Sequence, residues 1–62
     1  MKYKIEIGSW STGTEPEYEG VSFSGTLDEC HAFIKLCMES GFEGFDWVFS
    51  PNEINHIKLE AI

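Results

Sequence analysis

Residues 26–41 read TLDECHAFIKLCMESG, and this stretch contains the start, the buried face and the end of one helix. Thr26 followed three residues later by Glu29 is a capping box. In that motif each side chain accepts a hydrogen bond from a backbone N–H that the first turn leaves free. Gly41 suits the left-handed residue that ends many helices. The pattern predicts a helix over residues 27–40.

One face of this predicted helix is apolar, because its large hydrophobic side chains recur every three or four positions. The opposite face carries Asp28, Lys35 and Glu39. Such a helix packs one side on a sheet and leaves the other in solvent. The apolar side consists of Leu27, Cys30, Phe33, Ile34, Cys37 and Met38.

Two strands are predicted before the helix. Residues 2–7 alternate polar and apolar side chains, which is the period of a half-buried strand. Residues 21–24 alternate in the same way. The stretch between them, residues 8–20, is rich in Gly and polar residues and predicts a long hairpin connection with an acidic tip.

Two further strands are predicted after the helix. Residues 45–49 place aromatic side chains at alternate positions, which favours a strand. Residues 50–53 read SPNE and form a turn signal, since proline presets the second turn position. Residues 57–61 alternate again and predict the last strand.

This order of elements predicts a single α+β domain over residues 1–62, a two-layer ββαββ fold with one helix on one face of a four-stranded antiparallel sheet. We expect the spatial strand order 2-1-3-4. A chain this short buries only about 60% of the surface that its unfolded form exposes, so the core depends on large aromatics. The expected inner face of the sheet consists of Tyr3, Ile5, Ile7, Val21, Phe23, Phe45, Trp47, Phe49, Ile57, Leu59 and Ala61.

The outer face of the sheet has no second helix to cover it. If the hairpin stays in register through its glycines, Trp10 and Tyr18 reach this face as well. Three lysines and three carboxylates there cancel, so the net charge of −7 belongs to the helix-and-loop side. The other expected residues of the outer face are Lys2, Lys4, Glu6, Ser22, Ser24, Asp46, Val48, His56, Lys58 and Glu60.

The charge excludes several classes of function. Eleven carboxylates stand against four lysines and no arginine, whereas nucleic-acid binding relies on Lys and Arg that neutralise phosphates. Anionic membranes are disfavoured for the same reason.

The chain has no apolar run long enough for a signal segment or a membrane span. Two cysteines are too few for a secreted disulfide framework, so we expect a cytoplasmic protein.

Catalytic and metal sites are not indicated, and we expect no cofactor and no enzymatic activity. Cys30 and Cys37 stand seven residues apart, about 10.5 Å along a helix, which is beyond the reach of a disulfide or one zinc ion. His31 points about 100° away from Cys30 around the helix. The two thiols are expected to be buried as small hydrophobic groups. A small enzyme or metal-binding protein, with a metal shared with His56, remains an alternative.

Protein binding is the remaining class of function, and the sequence is compatible with two forms of it. In the first, the acidic side docks on a basic surface of another protein, such as a nucleic-acid-binding surface that it inhibits or regulates. Solubility alone is the competing explanation, since a charge of about 2 to 8 is ordinary for a small domain. The carboxylates proposed for this contact are Glu15, Glu17, Glu19, Asp28, Glu39 and Glu43.

In the second form, the uncovered sheet face or an edge strand binds a partner or a second copy of the chain, giving a homodimer. Trp10, Tyr18 and Val48 would anchor that contact, because Trp and Tyr are common among interface hot spots. The competing explanation is that these aromatics fold back and shield their own hairpin.

Overall fold

The computed structural model describes residues 1–11, 13–44 and 47–62. The fold class is confirmed, because an antiparallel sheet packs against one helix in the described part of the chain. The elements are β1 (Tyr3–Trp10), β2 (Tyr18–Gly25), α1 (Leu27–Ser40), β3 (Phe42–Glu43), β4 (Val48–Phe49), a 3-10 turn (Pro51–Glu53) and β5 (His56–Ala61).

The main sheet has three strands in the order β2-β1-β5, and both neighbours of β1 run antiparallel to it. The alternation predicted for the first strand is confirmed and continues to Trp10. Across from Ile5 lie Phe23 on one side and Leu59 on the other. The hairpin connection is shorter than predicted, because pairing continues through Gly8 and Gly20.

The predicted four-stranded sheet in the order 2-1-3-4 is wrong. The last strand lies directly beside β1, and β3 pairs with β4 in a separate two-stranded sheet. The N–H of Gly44 donates to the carbonyl of Trp47 at 2.8 Å and closes this small hairpin. Pairing with a close neighbour in sequence costs less loop-closure entropy than pairing with a distant strand. The predicted strand positions Phe45 and Asp46 lie outside the described residues.

The helix caps follow the sequence pattern. The N–H of Glu29 donates to Thr26 Oγ1 at 3.2 Å, and the N–H of Thr26 donates to Glu29 Oε1 at 2.9 Å. Gly41 has a positive φ of 76°, as predicted, although its ψ of −162° differs from the left-handed helical value. Its N–H donates to the carbonyl of Cys37 at 2.8 Å.

The core lies between α1 and the first two strands. Ile5, Ile7 and Cys30 are fully buried, and Cys37 is 3% exposed, so the prediction of two buried thiols is confirmed. Phe42 joins the same cluster from β3. Stacked ring pairs border it, Phe23 with Phe33 at 5.2 Å between ring centroids and Phe42 with Phe49 at 4.7 Å.

The register places Ile57, Leu59 and Ala61 on the predicted inner face of the sheet, but these side chains are not buried, and neither is Trp47. Ile57 and Leu59 remain 47% and 40% exposed, Ala61 is exposed, and Trp47 is 62% exposed. A helix with its side chains is about 10–12 Å across, whereas three strands about 4.8 Å apart need a wider cover. The helix therefore packs on β1 and β2 but does not cover β5.

Candidate functional site

The sheet extends past the helix, and there its inner face changes from apolar to acidic. Along β1 the inward positions Ile5 and Ile7 are followed by Ser9, which lies opposite Glu19 of β2. The pairing continues beyond the strands, because the N–H of Ser11 donates to the carbonyl of Glu17 at 2.8 Å. The N–H of Glu17 in turn donates to Ser11 Oγ at 2.8 Å. Strand alternation thus directs Glu17 and Glu19 to the same side.

An open groove of about 600 Å³ lies over this acidic extension. Its other wall comes from the segment after the helix, through Phe49 and Glu53. Gly44 lies against the Glu19 carboxylate so closely that a Cβ at Gly44 would stand 2.7 Å from Oε2. We call this site the acidic groove and define it by its three carboxylates, Glu17, Glu19 and Glu53.

Glu53 is held in place by its own turn. Ser50 donates to Glu53 Oε1 from its backbone N–H at 3.1 Å and from its hydroxyl at 2.9 Å. These hydrogen bonds lower the pKa of the Glu53 carboxyl, with a smaller contribution from the side chain of Trp47. Glu53 is therefore ionised at neutral pH and contributes a fixed negative charge to the groove.

The carboxylates of the groove have no lysine beside them in sequence. The chain contains no lysine between Lys4 and Lys35, and none between Lys35 and Lys58. The outer face of the main sheet is balanced instead, because Lys4 lies opposite Glu60 and Lys58 lies opposite Glu6. Among the described residues, the ion pair within 4.0 Å joins Lys58 to Glu60. The uncompensated charge is thus concentrated at the hairpin end of the molecule.

The predicted acidic side divides between the two ends of the helix. Glu15 is exposed in the hairpin loop and Glu43 is exposed in β3, next to Gly44. Asp28 lies in the first turn of α1 and Glu39 in the last, eleven residues apart, which is about 16 Å along the axis. Asp28 therefore lies at the opposite end from the groove, and its role in partner binding stays a prediction.

The outer face carries an aromatic cluster at the hairpin end. Tyr18 packs between Trp10 and His56, with ring centroids 4.9 Å and 5.2 Å apart. Its ring lies across Gly8 and Gly20, where any Cβ would collide with it. Tyr18 thus shields its own hairpin, which was the alternative to a role in binding.

The hydroxyl of Tyr18 is buried, and it has no hydrogen-bond partner among the described residues. Burial raises the pKa of this phenol, and the nearby Glu6 carboxylate raises it further. Trp10 keeps 46% of its surface exposed. The exposed part of the cluster is therefore the indole and not the phenol.

Val48 does not belong to the outer face. It lies in β4 of the two-stranded sheet and is 68% exposed, so its predicted place beside Trp10 and Tyr18 is wrong. The hairpin end is instead fixed by Asn55. The N–H of Trp10 donates to Asn55 Oδ1 at 2.7 Å, and Asn55 Nδ2 donates to the carbonyl of Trp10 at 3.0 Å.

Metal and thiol chemistry find little support in the described ranges. No three His, Cys, Asp or Glu side chains there are grouped so that they could hold a metal ion. Cys30 and Cys37 are free thiols, and burial raises the pKa of Cys37, which disfavours its reactive thiolate. His31 is exposed on the helix.

Among residues 1–11, 13–44 and 47–62, no helix combines the length and the apolar character needed to cross a bilayer.

Glu53 and Phe49 are site residues that the sequence analysis missed. The alternation on either side of Tyr18 was a sufficient signal for Glu17 and Glu19, because it places both on one face. The other wall of the groove depends on where the β3–β4 hairpin packs, and no local pattern encodes that contact.

Comparison of the chain with protein-family models, with curated proteins and with solved structures finds no match.

Proposed function

We propose that this chain is a small, non-catalytic protein-binding module of the cytoplasm, whose acidic groove docks on a basic surface of another protein. The observation that carries the proposal is the convergence of Glu17, Glu19 and Glu53 on one groove without a nearby lysine in sequence. The two free thiols agree with a reducing compartment.

The shape of the groove suits a long basic side chain. Lys and Arg carry an apolar stem below their charge, and Phe49 offers an apolar surface to such a stem. The carboxylates beside it can form charge-assisted hydrogen bonds with the cationic head. A groove of about 600 Å³ has room for such a side chain and for part of its neighbours.

The framework of the site supports a rigid contact. Glu17 and Glu19 project from a paired hairpin end that Asn55 ties to the sheet, and Ser50 fixes Glu53. Because the backbone of the hairpin end and the side chain of Glu53 are already held, less conformational entropy is lost when a partner binds. The negative charge at the hairpin end also raises the rate of association with a basic partner.

The basic partner is proposed to be a nucleic-acid-binding protein. Such surfaces collect Lys and Arg to neutralise phosphates, and the carboxylates of the acidic groove present negative charge to them, as phosphates do. Occupying that surface would exclude the nucleic acid. The chain would then act as an inhibitor or regulator by contact alone.

Charge-matched variants separate a site from general acidity. Glu17→Gln with Glu19→Gln removes two charges from the groove, whereas Glu6→Gln with Asp28→Asn removes two from elsewhere. Both variants have a net charge of −7 + 2 = −5. Each is used to capture proteins from a lysate of the native host, and the captured proteins are identified by mass spectrometry.

We expect the wild type and the Glu6/Asp28 variant to capture the same basic protein, and the Glu17/Glu19 variant to lose it. Capture should be strong at about 0.01 M salt and weak at about 0.15 M, as the Debye length falls from about 30 to about 8 Å. Equal loss in both variants would show that only total charge matters. Capture that is indifferent to salt would also contradict the proposal.

A further inference from the structure

Among the described residues, strand β5 has an open edge with a defined set of free backbone groups. The N–H of Ile62 donates to the carbonyl of Lys2 at 2.9 Å, which shows which alternate residues of β5 form backbone hydrogen bonds with β1. Backbone groups of alternate residues point to opposite sides of a strand. The N–H and C=O groups of Ile57, Leu59 and Ala61 therefore point away from β1, toward the open edge.

The same three residues also present uncovered apolar side chains. They lie on the face that carries α1, but the helix covers only the neighbouring strands, and Ile57 and Leu59 remain 47% and 40% exposed. An edge with free backbone groups and apolar side chains is a template for another strand. This edge lies on the opposite side of the main sheet from β2.

We propose that the β5 edge binds the β5 edge of a second copy of this chain, antiparallel and with the two-fold axis at Leu59. The two three-stranded sheets then form one six-stranded sheet with both helices on the same face. Leu59 faces Leu59 of the second copy, and Ile57 faces Ala61 of the second copy. All three residues contribute free backbone groups, so the ladder forms with no change in β5.

Charge selects this register over its neighbours. With the axis at Leu59, each Lys58 faces Glu60 of the other copy, which gives two pairs of opposite charge. An axis at Lys58 would set the two Lys58 residues opposite each other, and an axis at Glu60 would do the same for the two Glu60 residues. Like charges directly opposite are destabilising. The sequence of β5, HIKLEA, is thus complementary to itself in one register.

The proposed pairing is also compatible with a net charge of −7 on each copy. An antiparallel two-fold arrangement reverses the direction of the second sheet, so the two acidic grooves lie at opposite ends of the dimer. Their mutual repulsion is reduced by that distance and by salt. Both grooves stay accessible, so the dimer and the docking of a basic protein can be tested independently.

Cross-linking tests the register directly. In the proposed dimer the two Leu59 Cα atoms are about 5.5 Å apart, which is within the range of a disulfide. The two Ile57 Cα atoms are offset by four residues, about 13 Å along the strand. Leu59→Cys should therefore form a covalent dimer under mild oxidation, and the similarly exposed Ile57→Cys should not. The wild type, with its buried Cys30 and Cys37, measures the background.

Sedimentation equilibrium tests the charge pairs without a new cysteine. Lys58→Glu and Lys35→Glu both change the net charge to −7 − 2 = −9, but only Lys58 lies at the proposed interface. We expect the wild type to associate with rising concentration, Lys58→Glu to weaken the association about tenfold, and Lys35→Glu to leave it nearly unchanged. Circular dichroism confirms that each variant is folded.

Three results would overturn the proposal. The first is a wild type that stays monomeric at every concentration. The second is equal association of the Lys58 and Lys35 variants. The third is disulfide formation by Leu59→Cys that does not exceed that of Ile57→Cys.

Discussion

Replacing Gly41 by alanine should unfold the junction that positions one wall of the acidic groove. Gly41 joins α1 to β3 with φ 76° and ψ −162°, a region that residues with a side chain rarely adopt. A Cβ there would overlap the carbonyl oxygen of Phe49 and would lie 2.9 Å from its carbonyl carbon and 3.1 Å from Ser50 Cα. These atoms are backbone, so no side-chain rotation can relieve the overlap.

The cost follows from the two effects together. A residue with a side chain in this backbone region costs about 1–3 kcal/mol. The overlap adds to this, because moving the β4 backbone disturbs the stack of Phe42 on Phe49 at 4.7 Å. We expect Gly41→Ala to lower the free energy of unfolding by about 3 kcal/mol, and the melting temperature by more than about 10 °C.

Thermal and urea unfolding, followed by circular dichroism, measure this effect. Gly13→Ala is the matched control, because the nearest atom to a Cβ at Gly13 is the Glu15 nitrogen at 4.0 Å. The Gly13→Ala control should change the free energy of unfolding by less than about 1 kcal/mol. An increase is expected, because alanine lowers the conformational entropy of the unfolded chain. A Gly41→Ala chain that unfolds within about 0.5 kcal/mol of the wild type would refute the reasoning.

Three further predictions concern single groups. Tyr18→Phe removes a buried hydroxyl that has no hydrogen-bond partner among the described residues. Urea unfolding should therefore show a stability equal to that of the wild type or up to about 1 kcal/mol higher. A clear loss of stability would reveal a hydrogen bond to this hydroxyl. Thr26→Ala removes the helix cap and should cost about 1 kcal/mol in the same assay, and an unchanged midpoint would contradict that role. Hydrogen bonds from Thr26 and Ser50 lower the pKa values of Glu29 and Glu53 below the ordinary 4.5. These hydrogen bonds therefore contribute fully to the free energy of unfolding above pH 4.5, and the contribution is lost as the pH falls through the lowered pKa values. Unfolding of Glu29→Gln and Glu53→Gln should depend less on pH below about 4.5 than unfolding of the wild type, and identical pH profiles would argue against the two caps.

The helix and the first strand were predictable because their signals are local. The capping pair Thr26 and Glu29 needs only four residues of sequence, and the alternation of β1 needs only its own side chains. The sequence places Gly8 and Gly20 in the hairpin connection, since glycine usually weakens a strand. In the structure the ring of Tyr18 covers both glycines, so the pairing continues to the hairpin end.

The strand order was not predictable from the same kind of signal. Apolar alternation in the aromatic segment fits any antiparallel neighbour, and the hairpin closed by Gly44 and Trp47 decides the pairing instead. Half of the acidic groove follows from strand alternation at Glu17 and Glu19. The other half depends on the packing of Phe49 and on the turn that holds Glu53, which are tertiary contacts.

Displacement of nucleic acid tests the central claim most directly. The captured basic protein is purified and loaded with a fluorescent oligonucleotide, and fluorescence anisotropy is followed as this chain is added at about 0.05 M salt. We predict displacement by the wild type and by the Glu6→Gln/Asp28→Asn variant, and a several-fold higher concentration for half-displacement with Glu17→Gln/Glu19→Gln. Equal displacement by the two charge-matched variants, or binding of the chain with no displacement, would contradict the account.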